Sequence, residues 1–188
     1  MKNIYLTIII AFISFGAYAQ QNKGDLIKLD LGLFNGIRVA YEKPIADAFS
    51  IGSAADFYYG GYSGFKIEPF ARFYIGGQCP EGLYLQGRFL YGNFTSSFFH
   101  YNTRNGLDII DREVSFSSVG GGFDLGYQWL SGRKNNIVID LSLGAQAMGG
   151  YNGSIVQNNQ TYNSANVGFN VWGPGAVFNP HLLIGYKF

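Results

Sequence analysis

Phe178-Asn179-Pro180-His181-Leu182-Leu183-Ile184-Gly185-Tyr186-Lys187-Phe188, the end of the chain, decides how the rest is read. Taken alternately, Phe178, Pro180, Leu182, Ile184, Tyr186 and Phe188 form one face; Asn179, His181, Leu183, Gly185 and Lys187 form the other. Period two with one oily and one mostly polar side is the pattern of a β-strand. A chain that stops on an aromatic must place it somewhere, and Tyr186 with Phe188 would suit the interfacial aromatic girdle of a membrane barrel. A sandwich strand that happens to end in Phe has the same pattern, so the neighbouring segments have to decide.

The same alternation recurs throughout. From Leu26, Ile27, Leu29, Leu31 and Leu33 oppose Lys28, Asp30, Gly32 and Phe34, and Asn35-Gly36 is a tight-turn signal. Further strands are predicted at Ile37–Ile45, Phe49–Tyr59, Phe65–Ile75, Leu83–Phe94, Val114–Trp129 and Ile137–Gly149, which with the last makes eight. Short turns fall near Ala46-Asp47-Ala48, around Cys79-Pro80 and over Ser131–Asn136, whereas two long connections, 95–113 and 151–175, are read as polar loops.

At 188 residues the chain is one domain's worth, rich in Phe (17), Tyr (14) and Gly (27), with only 13% charged residues against a usual quarter. The net charge of +1 and the lack of a basic stripe argue against nucleic acid. Cys79 is alone, so it forms no intramolecular disulfide and is read as a turn residue. Met1-Lys2-Asn3, the apolar run Ile4–Phe15 and Ala17-Tyr18-Ala19 have the form of a cleavable signal peptide, 1–19, leaving a barrel domain over 20–188. No second continuous apolar span follows, so a membrane would have to be crossed by strands.

Eight strands can close a barrel with the apolar face turned either way. Inward, it would be a soluble ligand carrier; outward, a lipid-embedded barrel with a polar lumen. Runs of ten residues or more match tilted strands crossing a bilayer, and short turns at one end with long loops at the other match a membrane barrel. The polar faces gather Lys28, Arg38, Lys66, Arg72, Arg88 and Lys187 against Asp30, Glu42, Asp56, Glu68, Asp124 and Asp140, a balance suited to pairing in a narrow lumen. On the oily rows Phe49, Phe73, Tyr127, Trp129, Tyr186 and Phe188 gather at the turn end, and Phe57, Tyr59, Phe89 and Tyr91 at the loop end, as two girdles. The expected fold is all-β: an eight-stranded antiparallel up-and-down transmembrane barrel.

Glu68-Pro69-Phe70-Ala71-Arg72-Phe73-Tyr74, Gly82-Leu83-Tyr84-Leu85, Gly120-Gly121-Gly122-Phe123-Asp124-Leu125-Gly126-Tyr127-Gln128-Trp129 and Ile184-Gly185-Tyr186-Lys187-Phe188 carry a resemblance. The chain resembles the small eight-stranded outer-membrane proteins of the OmpX/OmpA-barrel type, especially an uncharacterised barrel family of Bacteroidetes-like bacteria. Its last strand resembles those read by the barrel-assembly machinery. The resemblance implies a Gram-negative outer membrane, contact with its lipid and lipopolysaccharide, both termini in the periplasm and no uniform activity.

Searching for chemistry gives little. Gly120, Gly122 and Gly126 have the wrong spacing for a dinucleotide loop and precede no helix, and His100 and His181 lie on different elements without paired-ligand spacing. Neither cofactor nor metal is expected. His181 with Asp124, Asp140 and Ser142 is the one trace of a lipid-acting hydrolase or acyltransferase, without a nucleophile motif to anchor it. A narrow small-solute channel is the other alternative, but Arg72, Arg88, Tyr74 and Tyr84 point into a lumen only wide enough for side chains. The leading expectation is a non-catalytic monomer with a plugged lumen and a structural or surface-interaction role. Phe98, Phe99, Tyr101 and Trp172, on the long loops, are the candidate contacts for a surface ligand or host protein.

Overall fold

Alternation at period two leaves each strand with one side that water rejects, and a sheet with one such face is stable only when that face is covered or meets lipid. In the computed structural model the apolar sides all face outward and the polar sides are enclosed. The structure describes residues 24–30, 36–96, 99–103, 106–110, 113–149, 154–157, 160–165, 169 and 173–188; for 99–110 and 154–165 this covers the backbone only. Residues 1–19, expected to be a signal peptide, the turn at Asn35, and Phe98 and Trp172 lie outside the described residues, as do the side chains of Phe99, His100 and Tyr101.

The strands are β1 (Leu26–Asp30), β2 (Gly36–Pro44), β3 (Phe49–Tyr58), β4 (Tyr62–Tyr74), β5 (Gly82–Ser96), β6 (Phe99–Thr103), β7 (Gly106–Ile110), β8 (Val114–Ser131), β9 (Ile137–Met148), β10 (Ser154–Gln157), β11 (Gln160–Ala165) and β12 (Phe178–Lys187). Eight of them close an antiparallel barrel in the order β1-β2-β3-β4-β5-β8-β9-β12. Closure comes from the two ends of the chain, Ile27 opposite Tyr186 and Leu29 opposite Ile184, which leaves the wall without a free edge.

The two long connections are not simple loops. Strands β6 and β7 form one hairpin and β10 and β11 another, and the hairpins join through Asn163 opposite Asn102 and Ala165 opposite His100. The result is a separate four-stranded sheet, β10-β11-β6-β7, at the end of the barrel opposite the short turns. The break after β3 is also shorter than Gly60–Gly64: β4 starts at Tyr62, with Tyr58 opposite Gly64.

The outer wall carries Leu125 at 52% exposure, Leu141 at 50% and Ile184 at 60%, whereas Lys28, Lys66 and Asp140 are fully enclosed. Such a contrast is the reverse of a water-soluble surface. Glycines on the inner face make the lumen wide enough for long side chains. A Cβ on Gly126 would run into the Tyr84 ring, and one on Gly144 into the Asp124 carboxylate.

Candidate functional site

The lumen is filled in layers. At the turn end, Tyr74, Cys79 and Tyr84 form a buried floor, with the two tyrosine rings 5.6 Å apart. The turn carrying Cys79-Pro80 folds under the barrel: the Cys79 amide donates to the Asp47 carbonyl at 2.8 Å, and the Pro80 carbonyl accepts from Gln128 Nε2 at 2.6 Å.

Directly above lies an inner ionic layer of Lys28, Glu42, Arg72 and Asp140. Lys28 Nζ reaches Glu42 Oε2 at 2.6 Å and Asp140 Oδ2 at 2.7 Å, and Arg72 Nη1 reaches the same two oxygens at 3.0 and 2.7 Å. Gln128 Oε1 accepts from both cations, at 2.8 and 3.0 Å. The remaining carboxylate oxygens are also occupied: Glu42 Oε1 accepts from Ser50 and Tyr74 at 2.5 and 2.6 Å, and Asp140 Oδ1 from Tyr84 at 2.5 Å. Arg72 also packs its guanidinium over the Tyr84 ring at 4.1 Å. Two cations, two anions and a full set of donors are what burial of charge requires.

Towards the loop end an outer ionic layer follows. Arg38 reaches both oxygens of Asp56 at 3.1 Å and Glu68 at 2.7 Å. Lys66 meets Glu68 at 2.5 Å and Asp56 at 3.4 Å, while Arg88 bridges Glu68 and Asp124 at 3.0 Å each. Gln86 ties the layers together: its Oε1 accepts from Arg72 Nε at 2.5 Å and its Nε2 donates to Asp124 at 2.7 Å. His181 Nδ1 lies 3.2 Å from Asp30 Oδ2.

All eleven charged residues expected in the lumen, Lys28, Asp30, Arg38, Glu42, Asp56, Lys66, Glu68, Arg72, Arg88, Asp124 and Asp140, are buried there. Lys187 is not among them: it faces inward at the rim, half-buried opposite Leu26, because the alternation runs past the end of the enclosed space. The enclosed set is therefore five basic to six acidic residues, with His181 beside the extra carboxylate. The acid paired with His181 is Asp30 rather than Asp124 or Asp140, while Ser142 is its cross-strand neighbour. Gln86, Gln128 and Ser50 complete the layers, but nothing beyond their inward parity marks them in the sequence.

On the outer wall Tyr127, Trp129, Tyr186 and Phe188 sit together at the turn end, 39–63% exposed. The Tyr127 and Trp129 rings lie 4.5 Å apart, tilted by 40°, Tyr186 OH accepts from Asn136 at 3.1 Å, and Tyr41 OH donates to Asp25 at 2.5 Å. Rings with polar tips turned to the barrel end are suited to a boundary between an apolar phase and water.

Searches among family models and among curated proteins match nothing. Among solved structures, the N-terminal β-barrel domain of Pseudomonas aeruginosa OprF is similar over 88% of this chain and 98% of that one, at 12% identity and a TM-score of 0.46.

Proposed function

We propose that this chain is an outer-membrane β-barrel of a Gram-negative bacterium, exported by its first 19 residues and acting as a plugged, non-catalytic monomer with a structural or surface-interaction role. The observation that carries this reading is the inverted burial: paired charges inside, a continuous apolar wall with aromatic rims outside. An apolar belt of that extent facing water would aggregate, which weighs against the soluble carrier. Self-closure of the wall by β1 and β12 leaves no edge needing a second copy, and so favours a monomer. The external sheet of β6, β7, β10 and β11 is the part available to lipopolysaccharide or a surface partner, with Phe98, Phe99, Tyr101 and Trp172 as the residues to test first. The barrel-assembly machinery would take hold of β12.

Both ionic layers lie across the lumen, so the purified protein is expected to give no porin-sized conductance in planar bilayers. It should also fractionate with the outer membrane and show heat-modifiable gel mobility. Steady large conductance, or recovery in the soluble periplasmic fraction, would refute the proposal.

A further inference from the structure

The two ionic layers differ in one respect. Among the described residues, every buried side-chain nitrogen or oxygen without a hydrogen bond belongs to the outer layer or to His181 beside it. Lys66 Nζ, Glu68 Oε1, Arg88 Nη2 and Asp124 Oδ1 are still held in ion pairs of 2.5–3.0 Å. Arg38 Nε, Arg88 Nε and His181 Nε2 have neither kind of partner. Buried polar atoms in that condition are normally served by water. The inner layer has none, and its carboxylates are saturated by protein donors.

Between the outer layer and the loop-end solvent lies an apolar cluster: Leu90, Phe94, Met148 and Phe169, all buried, with Tyr58, Tyr62 and Phe116 against them. Phe169 alone comes from a connection rather than the wall. It is 1% exposed and packs edge-on against Phe94 at 5.4 Å, Phe116 at 5.3 Å and Tyr62 at 5.9 Å. Pro174, Gly175 and Val177 are fastened down on the mouth. Gly175 N donates to the Phe169 carbonyl at 3.1 Å, Gln146 Nε2 to the Pro174 carbonyl at 3.0 Å, and Gln146 N to the Val177 carbonyl at 2.9 Å. Gly175 lies under the Phe169 ring, where a Cβ would collide with it.

We propose that Phe169 is a stopper over a chamber that exchanges water and small polar solutes with the outside. The outer ionic layer is the wall of that chamber, and the inner layer is a dry, permanent seal. This deepens the plugged-barrel reading and rests on it, so the test reports on each separately. In a Cys79→Ser background, Ala54→Cys places a thiol opposite Glu68 of the outer layer, and Val138→Cys places one on the inward face of β9, two residues from Asp140 on the turn side of the inner layer, without removing any of that layer's donors. The full-length protein, refolded in vesicles and checked by heat-modifiable mobility, is treated with 2-aminoethyl methanethiosulfonate.

With Phe169 present, labelling at Ala54→Cys should be slow. Either Phe169→Ala, which removes the ring, or Gly175→Ala, which displaces it, should raise the rate about tenfold or more, as expected for opening of a local closure. Phe169→Leu, which still fills the space, should stay slow, and Val138→Cys should stay protected throughout. An Ala54→Cys rate indifferent to both ring-displacing variants overturns the stopper. Exposure of Val138→Cys alongside it overturns the inner seal, and the plugged-barrel reading with it.

Discussion

Replacing Arg72 by methionine should lower the unfolding free energy of the barrel by about 3–5 kcal/mol, the cost of removing one partner from a buried ionic set. Methionine fills comparable space without charge, so the loss would come mainly from what it leaves behind. Glu42 and Asp140 share Lys28 and Arg72 through one oxygen each, and without Arg72 a single ammonium faces two enclosed carboxylates. Gln86 would lose the donor that links the two layers, and the Tyr84 ring would lose its cation. Urea unfolding in lipid vesicles, followed by tryptophan fluorescence, would measure this. Adding Asp140→Leu to Arg72→Met should recover part of the loss, because it restores charge balance. A single-variant effect below about 1 kcal/mol would mean that the layer is hydrated and not the dry set described.

The second large effect concerns the outer wall. Leu143 lies midway along β9, opposite Pro180 on one side and Leu125 on the other, and is 60% exposed. On the membrane reading, Leu143→Arg should cost about 2–4 kcal/mol, whereas Ile137→Arg, at the turn end of the same strand, should cost about 0–1 kcal/mol. In a water-soluble barrel both positions would face solvent and the gradient would vanish. The comparison therefore tests the environment of the wall, with the same substitution on the same strand and only depth changed.

The barrel strands were legible because each carries its own evidence: Ile139, Leu141 and Leu143 alternate with Asp140 and Ser142 whatever the rest of the chain does. The small separate sheet was not, because its strands are only four to six residues long and join across two connections, Asn163 to Asn102. Pairing between distant segments leaves no local period. Inward parity marked the charged residues but could not say which met which. Asp30 and His181, 151 positions apart, come together only because the first and last barrel strands close the wall. Parity also misled at Lys187, since it does not report where the enclosed space ends. Gln86 and Gln128 had the right parity, but an amide becomes a bridge only when charges stand on both sides of it, which depends on the closed lumen.

The most direct test of the central claim, charges in and oily residues out, is a nitroxide scan along Ile137–Met148 in bilayers, with collisional access to oxygen and to a polar nickel chelate measured at each site. Positions 139, 141, 143 and 145 are expected to be oxygen-accessible and nickel-protected, and 138, 140, 142 and 144 shielded from both. High nickel access at 141 or 143, or loss of the two-residue alternation, would contradict it.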